Sequence, residues 1–242
     1  MKQLAVPALA LALTGLLATS CVDEQLCVNG NGTVATDTLA LETISGIEVR
    51  GNANLYISQG TTQEVIVKTD ENLLDRVEAT IENGVLVLDL KGCAYSYDLD
   101  VYVTFSEPIK SIKVSGSGDV YGDAALTAAD ELDLNITGSG SMTLELEGKN
   151  INSRISGSGD LILKGKAETH ILRVTGSGDL SGYGLFTQNT DISVSGSGKA
   201  EILVEGGSLD VEISGSGSVY YKGSPAAINT RISGSGRLVD AE

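Results

Sequence analysis

At 242 residues the chain has room for one or two domains, and 30 Gly with 2 Phe and no Trp argue against a core built on large aromatics. Its 16 Lys and Arg against 32 Asp and Glu leave a formal charge of -16, which argues against a nucleic-acid partner, because neutralising phosphates takes clustered cations. The plain reading of such a surface is solvated acidity that keeps an exported protein soluble.

The first residues read as a processing segment rather than as part of the fold. Lys2 gives a positive start and Leu4 to Leu17 an apolar stretch broken by Pro7, too short and too lightly flanked for a spanning helix. Ala18-Thr19-Ser20 then precede Cys21, which resembles the lipobox of bacterial lipoproteins with Ala18 where Leu is usual. The expectation is a signal peptide over 1–20, a lipid on Cys21 and a flexible tether over 21–38; ordinary cleavage at the same bond is the alternative. The acidic run Val22-Asp23-Glu24-Gln25 resembles the export signal of Bacteroides-type lipoproteins, which implies the outer face of the outer membrane, with the periplasmic face as the alternative. Cys27 and Cys93 are left over, free to pair outside the cytosol and staple the tether to the first part of the fold. Two isolated cysteines with no nearby His do not make a metal site.

Asn29 to Asp37 is rich in Gly, Asn and Thr and reads as linker. From Ile47 to Ile57 apolar and polar residues alternate, the period of a half-buried strand. Glu64 to Thr69 reads as another strand, and Asp70-Glu71-Asn72-Leu73-Leu74 as a short helical turn with Asp70 as its cap. Val77 to Ile81 and Val85 to Leu90 flank Asn83-Gly84, a strong hairpin signal. Leu99, Val101, Val103 and Phe105 alternate again until Pro108. This region is expected to cap a stack whose open edge would otherwise pair with another chain.

From residue 111 one phrase recurs: a β-branched apolar residue, Ser or Thr, then Gly-Ser-Gly, with the first glycine at 116, 138, 157, 176, 196, 215 and 234. Spacings of 19 to 22 residues mark a stacked supersecondary unit. Gly51-Asn52-Ala53 aligns as an eighth, degenerate copy, with Val49 matching Val114 and Leu55 matching Val120. Two residues before each glycine stand Val114, Ile136, Ile155, Val174, Val194, Ile213 and Ile232; four after it stand Val120, Met142, Leu161, Leu180, Ala200, Val219 and Leu238. Both columns should face inward. The glycines themselves imply either a corner of positive φ or a place too narrow for a side chain. The expected fold is all-β: a right-handed parallel β-helix of about 19–20-residue coils over 39–242, with an N-terminal β-rich cap over 39–110 and seven repeats over 111–242.

The Gly51-Asn52-Ala53 copy, Asp70 to Leu74, Asn83-Gly84 and the tandem Ser-Gly-Ser-Gly-Asp phrases together resemble the head GIN domain family of auto-transporter adhesins, common in Bacteroides relatives. The resemblance covers roughly residues 39 to 240. It implies a β-helical surface or periplasmic protein with no established catalytic residues. The eponymous Gly-Ile-Asn is Gly51-Asn52-Ala53 here, and no barrel-forming translocator follows the repeats, so self-translocation is not expected.

The column after each phrase reads Asp119, Ser141, Asp160, Asp179, Lys199, Ser218, Arg237, and the two cations exclude a calcium ladder, leaving at most one ion between Asp160 and Asp179. Those two carboxylates, one rung apart, have the spacing of a retaining glycosidase pair, but any two residues in one column do. His170, the single histidine, reads as a plain surface or corner residue, and no metal or cofactor site is expected. Ser117, Ser139, Ser158, Ser177, Ser197, Ser216 and Ser235 form a hydroxyl ladder that, with Asp160 and Asp179, makes the candidate ligand face. Tyr95, Tyr97, Tyr102, Tyr121, Tyr183, Tyr220 and Tyr221 could stack on sugar rings or simply pack the rim. The expected function is a non-enzymatic, lipid-anchored surface module binding a glycan, matrix or protein partner. A polysaccharide-processing enzyme and a structural spacer are the alternatives.

Overall fold

The computed structural model describes residues 27–242, so the signal peptide and Cys21 lie outside the described residues. The chain winds as a β-solenoid of about 7 turns with coils of about 19 residues. The coil Asp160–Gly176 shows why. Leu161, Leu163, Ala167, His170, Leu172, Val174 and then Gly178 are its buried positions, stepping by two except at 163 to 167, 167 to 170 and 174 to 178. A period of two is a strand with one face inward, and each longer step is a turn of the chain, so the coil has three sides. The strand that follows the glycine phrase lies on what is called here the first face; the strand that runs into the next phrase lies on the second.

Successive coils pair in parallel, and the pairing reproduces the columns expected from the repeats. On the second face Val49, Val114, Ile136, Ile155, Val174, Val194, Ile213 and Ile232 stand in one row. On the first, Leu55, Val120, Met142, Leu161, Leu180, Ala200, Val219 and Leu238 stand in another. Nearly every member is 0–1% exposed until the last coil. Each inner side chain therefore packs on its counterpart above and below, which makes stability a sum of neighbour terms.

Both readings of the glycines hold, one for each. Gly215 turns the corner at φ 125°, where a Cβ would also come 2.5 Å from the Gly196 carbonyl oxygen. Gly217 is a narrow point: a Cβ there would lie 2.6 Å from Val194 Cγ1 and 2.7 Å from the Gly198 oxygen. Between them the Ser N–H closes the corner by donating to the glycine carbonyl one coil back, as Ser216 does to Gly196 at 2.8 Å.

The N-terminal end is sealed. Asn54–Gln59 and Gly46–Gly51 form its first full coil, and Leu99–Phe105 and Val85–Leu90 pair with them in parallel. Antiparallel strands then cover those edges: Glu64–Asp70 on Leu99–Phe105, and Val77–Glu82 on Val85–Leu90 through the expected hairpin, whose Asn83 and Gly84 have φ of 52° and 78°. The described part of the expected tether, residues 27–38, belongs to this cap. Val34–Thr38 pairs antiparallel with Glu64–Asp70, Val28–Asn29 pairs with Ala94–Tyr95, and Cys27 and Cys93 form a disulfide. The polar residues that suggested a linker are used as turn partners: Asn31 donates its N–H to Asn72 Oδ1, and Gly32 donates to Asp70 Oδ1 at 2.5 Å. Asp70 consequently makes no side-chain cap on the 3-10 turn Glu71–Arg76, although it stands at the capping position as expected.

Candidate functional site

The expected ladder exists as a corner ridge. Ser117, Ser139, Ser158, Ser177, Ser197, Ser216 and Ser235 are all exposed, one per coil, with backbone N–H groups committed to the preceding coil. Beside the ridge, the first face carries two outward rows. The nearer is Asp100, Asn54, Asp119, Ser141, Asp160, Asp179, Lys199, Ser218 and Arg237; the next is Tyr102, Tyr56, Tyr121, Thr143, Ile162, Ser181, Glu201, Tyr220 and Val239.

Much of the acidic row serves the corner. Asp119 Oδ1 accepts both the N–H and the hydroxyl of Ser141, at 2.9 and 2.7 Å, and Asp179 Oδ1 accepts the Lys199 N–H at 2.7 Å. Asp160 stands in register with Asp179 and is exposed, with no hydrogen bond to its carboxylate among the described residues. The Lys199 ammonium pairs with Glu201, two residues along its own strand and on the same face. Among the described residues no three His, Cys, Asp or Glu gather at metal-binding distance.

The tyrosines divide by position. Tyr56 stacks on Tyr102 with ring centroids 4.8 Å apart and planes 13° apart, and on Tyr121 at 5.5 Å and 22°. Parallel register, with rungs ~4.8 Å apart, places like side chains at ring-stacking distance. Burial, then the nearby Asp100 carboxylate, raises the Tyr56 pKa; burial, then Asp119, raises that of Tyr121. Both phenols thus keep their protons as donors, and Tyr121 donates to Asp119 Oδ2. At the other end Lys222 lies over the Tyr183 ring at 4.9 Å and Lys199 over Tyr220 at 5.2 Å, while Arg237 donates to the Tyr220 hydroxyl. Tyr97 donates to Asn52, Tyr221 donates to Asp240, and Tyr95 stands exposed beside the disulfide strand. Tyr56 was absent from the sequence-derived set. Aligning the degenerate first copy, Leu55 on Val120, places Tyr56 against Tyr121 and would have found it.

His170 departs from the position expected of it. Rather than lying at the surface it is 1% exposed in an inner column between Ile151 and Thr190, sharing a 3.0 Å hydrogen bond with Ser153 Oγ. Burial lowers its pKa to about 4. Both side chains are buried, Ser153 at 3% and His170 at 1% exposed, and each satisfies the other, which makes the pair a satisfied polar core element. The three-residue step from Ala167 to His170 shifts the inward parity onto residue 170.

On the second face the outward row Lys113, Asn135, Arg154, Arg173 is cationic, flanked by Asp133, Asn152, Ile171 and Asp191. Arg173 forks onto Asp191 at 2.8 and 3.3 Å. Burial alone would raise the Glu48 pKa, but hydrogen bonds from Lys113 and Arg50 outweigh it and hold the carboxyl below its usual range.

The family described as putative auto-transporter adhesin, head GIN domain, matches residues 43–225. A putative adhesin from Bacteroides fragilis superposes with a TM-score of 0.81 at 22% identity, covering 87% of this chain and 98% of that one. A putative adhesin from Parabacteroides distasonis gives 0.70 at 26% identity over 87% and 98%. A second protein of that organism, described as a putative lipid binding protein, gives 0.72 at 22% identity over 88% and 99%. Among curated proteins no relative matches.

Proposed function

The chain belongs to the head GIN domain family, and from that premise we propose that it is a non-enzymatic adhesion or ligand-binding module of the cell envelope, anchored through a lipid on Cys21 and presenting its first face to a glycan, matrix or protein ligand. The observation that carries this reading is the first face itself. It is a continuous parallel sheet edged by a ridge that repeats one exposed hydroxyl per coil, with a mainly polar row beside the ridge and a second row that carries Tyr102, Tyr56, Tyr121 and Tyr220. Such a surface offers many equivalent weak contacts to a repetitive ligand, and weak contacts multiply when several engage together. The name of the lipid-binding relative suggests a second ligand class. In this chain the inner columns are filled by Ile, Leu and Val, so a lipid would have to lie on the outside.

The test is binding of the chain from Cys27 onward to glycan and matrix-protein arrays. Binding to a repetitive ligand that weakens when Ser158, Ser177 and Ser197 are changed to Ala is the expected result; silence on every array would overturn the reading. The anchor is tested apart: Cys21→Ala should move the protein out of the membrane fraction, and retention there would refute lipidation.

A further inference from the structure

The tyrosine stack ends abruptly, and where it ends it leaves a gap one ring thick. Tyr102, Tyr56 and Tyr121 occupy three successive rungs of the first face, rings face to face. Since Tyr56 covers one side of the Tyr121 ring, the other side looks along the solenoid toward the next rung. There the row continues as Thr143 and, one rung further, Ile162. Two rungs separate Tyr121 from Ile162, roughly 9–10 Å, and only a threonine stands between them. Less the half-thickness of each wall, the space fits a single saturated or aromatic ring.

The borders of this slot say which ring. On one side run Asp119, Ser141 and Asp160, on the other Glu145 and Lys164, two residues along from Thr143 and Ile162. Asp160 has an unengaged carboxylate, while Asp119 is already tied to Ser141 and Tyr121. The floor is Thr143. An aromatic wall facing an aliphatic one, edged by hydrogen-bonding groups at both rims, suits a pyranose: apolar C–H faces against Tyr121 and Ile162, equatorial hydroxyls toward Glu145 in the same rung and Asp160 one rung on. A nucleobase would share the stacking, but the carboxylates would repel its phosphates. We propose that the slot between Tyr121 and Ile162 is a sugar-binding subsite that takes one uncharged pyranose unit of a glycan, as the fourth ring of the tyrosine stack. The proposal rests on the glycan branch of the function above and names its site.

Two substitutions probe it from opposite directions. Tyr121→Ala removes the wall, whereas Thr143→Tyr fills the slot with a ring the stack can accept, and so adds packing. Both should weaken binding of the glycan found on the arrays by about ten-fold or more, the value of one good aromatic contact. Tyr102→Ala, at the far end of the stack, should leave binding within about two-fold. Ligand binding should also perturb tyrosine fluorescence, readable here because the chain has no Trp. If a glycan binds and Thr143→Tyr leaves its affinity unchanged, the slot is wrong while the function stands. If the arrays return only protein or peptide ligands, the glycan branch and the slot fall together and the adhesion reading survives. A charged glycan held equally well by Thr143→Tyr also overturns the slot.

Discussion

The hexapeptide Arg-Ile-Ser-Gly-Ser-Gly occurs twice, at Arg154 to Gly159 in the middle of the solenoid and at Arg231 to Gly236 in its last coil. Ile155 of the first copy, and Ile151 just before it, are 0% exposed; their counterparts Ile232 and Ile228 are 39% and 43% exposed. The sequence is the same and the burial is opposite. In a solenoid an inner residue is buried by the coil on each side, and the last strand of the second face, Ala227–Gly234, has a partner on one side only. The opposite end shows what closure takes: there Val49, of the degenerate first copy, is 1% exposed because Val85–Leu90 and the hairpin strand beyond it complete the stack.

The largest effect should come from breaking that comparison directly. Ile155→Ala leaves a void walled by Ile136 and Val174 and should lower unfolding stability by about 4 kcal/mol, whereas Ile232→Ala should cost under about 1 kcal/mol because solvent already reaches the site. Urea unfolding of the two variants checks this; equal losses would mean that the last coil is covered in solution. Next in size is the staple at the closed end. The Cys27–Cys93 disulfide spans 66 residues, so its removal should cost about 2–4 kcal/mol. Hydrogen exchange should show that loss concentrated in residues 28–38 and 77–105, with the repeats beyond 133 protected as before, since neighbour-coupled coils unfold locally. Uniform loss of protection would show that cap and array unfold as one unit.

The repeated part of the fold was readable because the two inner columns that flank the glycine phrase are apolar in all eight copies, so the register could be taken from the glycines and needed no pairing inference. The cap was readable in its hairpin, through Asn83-Gly84, but not at its start. Asn29 to Asp37 has a linker composition, and what orders it lies forty residues on, where Asp70 and Asn72 accept its N–H groups. Composition does not register long-range partners. The candidate face was legible as rows of residues, yet the rows alone did not tell which groups were spoken for: Asp119 and Asp179 are occupied by the next coil while Asp160 is not. The position of His170 failed for a related reason. Strand parity predicts which side a residue faces only between turns, and the coil turns twice between Leu163 and His170.

That buried histidine gives the smallest of the three effects and tests the interior of the array away from both ends. Its neighbours along the column, Ile151 and Thr190, carry no charge, and its one hydrogen bond is to Ser153. Burial favours the neutral ring, so the folded pKa of about 4 lies below the ordinary 6.5. Above pH 6.5 both folded and unfolded chains hold His170 neutral and its full contribution is present. As the pH falls from 6.5 toward 4, the unfolded chain gains a proton that the folded chain refuses, and stability is lost; below about 4 both are protonated and the loss stops growing. At pH 5 the loss should be about 2 kcal/mol. His170→Thr, the residue that the next coil carries at this position, should remove the acid-dependent component between pH 6.5 and 4 while keeping the coil folded. The comparison is the slope of stability against pH for the two proteins. A difference in slope that vanishes would place His170 in contact with water, and the coil would then be open where the packing shows it closed.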